Sequence, residues 1–159
     1  SNKNFYTMET MTIETKIEIT KDAIESTLVT AIEGGIDYWG TFDDKELKDA
    51  KVWLKKQIEK GLLTRNESVH YMWMDAMFQG YPNPISVYDV EEVYGEEDDI
   101  DDIEPIGYLS MENIKKGLEK ASIEYPNRFR QFFPEYENGD VVDADVLFQM
   151  ITLDDIVYG

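Results

Sequence analysis

Apolar positions along this chain follow first one period and then another. Met11, Ile13, Thr15, Ile17 and Ile19 alternate with Thr12, Glu14, Lys16 and Glu18, a period of two that predicts a half-buried strand over residues 11–20. Ile24, Leu28, Ala31 and Ile32 then recur at helical spacing, with Glu25, Ser26 and Glu33 on other faces, so a helix with one buried stripe follows. Thr20 or Asp22 can cap its start, and Glu25, three residues after Asp22, gives the second option the form of a capping box. Gly34 and Gly35 are residues for which positive φ costs little, so the helix is expected to stop there with one of them as its left-handed cap. The chain should then leave extended through Ile36, Asp37, Tyr38 and Trp39. A glycine pair can also mark close approach to a ligand, but a helix end needs no ligand to explain its glycine.

Further along, Asp43-Asp44-Lys45-Glu46 has the spacing of a capping box and opens a helix with Leu47, Ala50, Leu54 and Ile58 on one side, ended at Gly61. Val69, Met72, Trp73, Ala76 and Met77 fit a helix capped at Asn66 and ended at Gly80, although the aromatics there also suit a strand; the helix is preferred. After Pro82 and Pro84, residues 85–90 alternate like a strand. Ser110 caps a helix with Met111, Ile114, Leu118 and Ala121 on one face, interrupted at Tyr125-Pro126. Asp143 is expected to cap a last helix carrying Val146, Leu147, Met150 and Ile151, after which 155–158 looks extended. The expected fold class is α+β: about four helices packed on one small, mainly antiparallel sheet formed by 11–20, 85–90 and 155–158.

Composition adds an electrostatic asymmetry. The 159 residues carry a net charge of −19. Between Asn66 and Ile114 there are thirteen carboxylates and no Lys or Arg, while Lys45, Lys48, Lys51, Lys55, Lys56, Lys60 and Arg65 crowd one segment. Such a surface repels phosphate backbones, so direct nucleic-acid binding is not expected. Residues 8–159 read as a single acidic α+β domain, with 89–104 as an acidic loop in which ten of sixteen residues are Asp or Glu. Residues 1–7 read as an N-terminal tail whose Ser1 and Asn2 are expected to be expression-derived, since no Met precedes Lys3. The apolar runs are too short for a transmembrane helix or a signal-peptide core, so no membrane contact is expected. The absence of Cys excludes disulfides and thiolate chemistry and fits a cytoplasmic location.

Glu33, Gly34, Gly35, Tyr38 and Trp39 form an EGG-x-x-Y-W sequence. With the ending DADVLFQMITLDDIVYG over residues 143–159, it resembles a family of small, functionally uncharacterised phage and prophage proteins. The two blocks stand in the same order as in that family and cover about a fifth of the chain. The resemblance implies a role inside a bacterial host and brings no catalytic residues with it.

Candidate chemistry is sparse. The acidic run does not have EF-hand spacing: counted from Asp99, Ile103 and Glu104 fall where a ligand and a glycine are needed, and Pro105 follows. There is no phosphate-binding glycine loop, nucleophile elbow or zinc spacing, and the lone His70 stands in no catalytic motif. No catalytic, cofactor or metal residues are therefore assigned. The expected function is that of a phage-type accessory protein that binds a protein of its host, with Asp98, Asp99, Asp101 and Asp102 in the contact. In a sharper version its carboxylates mimic nucleic acid toward a basic, DNA-handling host protein. The alternative is a carboxylate-based, metal-dependent enzyme.

Overall fold

The computed structural model of the chain describes residues 9–95 and 99–159. Among these are seven α-helices, five of them seven residues or longer, and a three-stranded antiparallel sheet. The α+β class is as expected; the helices outnumber the expected four. In chain order they are α1 (Lys21–Thr30), β1 (Gly40–Thr41), α2 (Asp44–Glu59), α3 (Met72–Phe78), β2 (Ile85–Asp89), α4 (Val90–Gly95), β3 (Gly107–Leu109), α5 (Met111–Glu124), α6 (Pro126–Phe129) and α7 (Val141–Leu153). A π-helical turn, Ala31–Gly35, extends α1.

The last helix is the centre of the molecule. Ala144, Leu147, Phe148, Met150 and Ile151 of α7 are buried, but so are Asp143, Asp145, Gln149 and Thr152, so the helix is enclosed on nearly every side. α1, the π-helical turn, β3, α5 and α6 all pack against it. Glycines permit two of these approaches: a Cβ on Gly107 of β3 would meet Thr152 O at 2.3 Å, and one on Gly117 of α5 would meet Ile151 Cα at 2.4 Å. Asp140, rather than Asp143, is the N-cap of α7. The Asp140 carboxylate accepts the Asp143 amide at 2.9 Å and the Asp143 carboxylate accepts the Asp140 amide at 3.1 Å, a complete capping box. Thr20 and Ser110 cap α1 and α5 as their sequences predict.

The sheet order is β1-β2-β3, with Thr41 opposite Tyr88 and Ser86 opposite Tyr108. β1 is too short to reach the Ser86 amide. Glu46 of α2 takes that amide at 3.1 Å and the Tyr88 hydroxyl at 3.3 Å. The expected capping box at Asp43 is therefore only half present: Asp43 accepts the Lys45 amide, while the carboxylate meant to reciprocate is engaged on β2.

Several other expectations are corrected. Residues 11–20 join no sheet: Met11 makes one isolated bridge, and residues 12–18 are exposed. Their alternation defines two faces but not a partner, and the strands at the sheet edges are only two and three residues long. Residues 155–158 are not a strand either, because the amides of Val157 and Tyr158 go to the Gln149 side chain. Positive φ occurs at Gly61 and Gly80 and not at Gly34 or Gly35. The π-helical turn carries the chain through both of the latter, and a hydrogen-bonded turn, with Trp39 N and Gly40 N on Ile36 O, replaces the expected extension. Asn66 starts no helix, since its side chain accepts the Ser68 amide and hydroxyl in an Asx turn, so α3 begins only at Met72. The acidic stretch is not all loop. Asp89 accepts the Glu91 amide at the start of α4, whose first turn places Glu91 and Glu92 where the helix dipole favours anions, and a 3₁₀ turn follows at Ile100–Asp102. This stretch connects β2 to β3, a strand too short to show alternation in the sequence.

Candidate functional site

Three stretches singled out in the sequence meet in space. Asp145 is 9% exposed, yet it accepts the Tyr38 hydroxyl on Oδ2 at 2.5 Å and, on Oδ1, the Trp39 indole N–H at 2.8 Å and the Gln149 amide at 2.9 Å. Gln149, one turn further along the same face of α7, holds the C-terminal stretch. Its Oε1 accepts the amides of Val157 at 2.8 Å and Tyr158 at 2.9 Å, and its Nε2 donates to Tyr158 O at 3.2 Å. The Tyr158 ring stacks on Trp39 at 5.0 Å with 6° between planes, and its hydroxyl donates to Asp89 at 3.3 Å. Finally, Trp39 O accepts the amide of Val90, the first residue of α4. The glycine-tyrosine-tryptophan block, the last helix with its Val-Tyr-Gly ending and the root of the acidic connection thus form one clasp.

Gly35 makes the clasp sterically possible. A Cβ on it would lie 2.8 Å from Val141 O and 3.4 Å from Asp145 N, so the chain can pass this close to α7 only without a side chain. Gly34 is exposed, and a Cβ there would meet Val141 Cγ1 at 3.2 Å. Glu33, also exposed, accepts the Tyr71 hydroxyl at 2.7 Å and lies 3.8 Å from His70 Nε2. The phenols report these surroundings. Tyr38 is pushed up to about 12 by burial of its hydroxyl and then by the Asp145 hydrogen bond and charge, even though the residue as a whole is 53% exposed. Tyr71 is raised to about 12, chiefly by its hydrogen bond to Glu33. Tyr158 is raised by burial and then by Asp89, with Glu92 and Glu91 adding to the effect.

The partner-contact residues proposed from sequence lie on the connection that leaves this clasp. Asp99, Asp101 and Asp102 are exposed around the 3₁₀ turn, and Asp98 lies outside the described residues. Among the described residues, no Lys or Arg forms an ion pair with a carboxylate of this connection. The lysines of α2 are likewise exposed without ion pairs. Other acids do have cationic or multiple donor partners. Asp75, 1% exposed, accepts from Arg65 and the Asn66 amide at 2.9 Å and from Gln79 at 2.8 Å; Asp143 pairs with Arg128 at 2.8 Å. Asp145, Gln149 and Asp75 were not foreseen. The available signal for the first two was an Asp and a Gln four residues apart in a mostly apolar helix.

Among the described residues no three His, Asp or Glu side chains are grouped to hold a metal ion, and no helix is long and apolar enough to cross a membrane. A cleft of about 280 Å³ is lined by Thr20, Asp22, Ala23, Ser26, Glu135 and Tyr136. No protein-family model matches the chain, and no curated protein or solved structure matches it either.

Proposed function

We propose that this is a phage-type accessory protein that works by binding a basic protein of its bacterial host, with the acidic β2–β3 connection as the contact. The observation that carries this reading is the set of exposed carboxylates at Asp99, Asp101 and Asp102, which have no cation beside them among the described residues. Charged side chains left unpaired and hydrated keep their full field, which accelerates encounter with a surface of opposite sign. The connection is also anchored. Asp89 is held by Tyr158, the Val90 amide by Trp39, and Ile106 packs on the core next to β3, so the charges project from fixed roots.

Affinity capture from a bacterial host lysate, at low and at moderate salt, tests this. The native chain should retain a basic protein more strongly at low salt, and a variant with Asp98, Asp99, Asp101 and Asp102 changed to Lys should lose it. A mimic of nucleic acid would in addition compete with duplex DNA for the captured protein. Capture unchanged by the charge reversal would remove the connection from the contact.

A further inference from the structure

The segment that the sheet leaves out is itself patterned as a strand. Ile13 is 73% and Ile17 49% exposed, and no backbone hydrogen bond ties Thr12 through Ile19 to another described residue. Its far end is fixed, because Ile19 packs on the core and Thr20 caps α1. Among the described residues, Thr12 through Ile19 thus form a period-two segment with an exposed apolar face and no strand beside it, a template for strand pairing.

We propose that two copies of this chain pair through this segment, antiparallel and centred on a two-fold axis at Thr15. The segment is self-complementary. In that register Thr15 faces its own copy, Ile13 faces Ile17 of the second copy on the apolar side, and Glu14 faces Lys16 on the polar side. The two-fold axis makes the Ile13–Ile17 and Glu14–Lys16 contacts each occur twice. Neighbouring registers lose the match. Centring on Glu14 sets that carboxylate against itself; centring on Lys16 sets two ammonium groups together and Glu14 against Glu18. A one-residue slip opposes apolar to charged positions, and a parallel in-register pair opposes every charge to its like. A two-stranded ribbon is marginal by itself, so the dimer is weak and depends on concentration. Each copy also carries −19, and that repulsion is screened over roughly 8 Å at physiological salt, so pairing tightens as salt rises. This is opposite in sign to the salt dependence of the acidic contact.

The absence of cysteine permits a direct test with one introduced thiol. Thr15→Cys places two thiols across the axis, where paired Cα atoms about 4.5–5.5 Å apart fall within the span of a disulfide. Glu18→Cys, six residues from the position opposite it, leaves them roughly 20 Å apart. Under mild oxidation at about 0.15 M salt, T15C should form covalent dimer at least about tenfold faster than E18C. In sedimentation, Lys16→Glu should raise the dimer dissociation constant about tenfold, and adding Glu14→Lys to it should restore the native value. Equal cross-linking at the two positions, a native chain that stays monomeric at every concentration, or a double exchange that fails to restore pairing would each overturn the proposal.

Discussion

Asp145 and Asp101 are the same side chain in opposite circumstances. Asp145 sits on a buried helix and is ringed by a phenol, an indole and an amide that all donate to it, whereas Asp101 lies exposed beside Asp99 and Asp102. The first satisfies three donors and ties the Tyr38–Trp39 stretch to α7, where it also orients the Gln149 that holds the C-terminal stretch. The second makes no bond that the fold needs. In a chain with 34 acids, the number of carboxylates therefore says little about either stability or binding; what decides is whether donors surround the group or water does.

The comparison is tested most severely at Asp145. Asp145→Ala removes the acceptor of the Tyr38 hydroxyl and the buried Trp39 indole and one of the two acceptors of Gln149, and it should destabilise the protein by about 3 kcal/mol or more, read from urea unfolding followed by tryptophan fluorescence. Loss of less than about 1 kcal/mol would mean that the clasp is incidental. Gly35→Ala comes next. Its Cβ would press on Val141 O, so a cost of about 1–3 kcal/mol is expected, while Gly95→Ala, with nothing within 4 Å, should stay within about 0.5 kcal/mol.

A smaller effect lies at high pH. Tyr38 titrates near 12 in the folded chain against about 10 for a free phenol, so the folded state holds its proton longer than the unfolded state. The stability from the Tyr38 hydrogen bond is fully present below pH 10 and is lost as pH rises through 12. Unfolding midpoints measured across that window should fall less steeply for Tyr38→Phe than for the native chain, with Tyr71 supplying much of the slope that remains. The smallest effect belongs to the connection. Changing Asp99, Asp101 and Asp102 together to Asn should move the unfolding midpoint by no more than about 0.5 kcal/mol equivalent.

Local signals in the sequence were strong where a single residue type does a local job. Thr20 and Ser110 cap helices by accepting an amide three residues on, and the alternation over 85–90 produces β2. Three of the failures share one cause, competition from a distant group that local patterns do not contain. Glu46 looked like part of a cap but is engaged by β2; Val157 and Tyr158 looked like a strand but are claimed by Gln149; Gly35 looked like a left-handed stop but is small because α7 passes beside it. The clasp was visible only as two blocks of residues. Nothing in their spacing specifies that Asp145 and Gln149 join them, since that depends on how α1 and α7 pack.

The most direct measurement is the association rate of the captured basic partner with the native chain and with the Asp99, Asp101 and Asp102 to Asn variant across a salt series, with unfolding midpoints recorded on the same samples. Native association should slow steeply as salt rises, the variant should be slower at low salt and nearly insensitive to it, and the two midpoints should coincide. Indistinguishable salt dependences, or a variant that associates normally but has lost stability, would contradict the assignment of binding to the exposed acids and of folding to the buried ones.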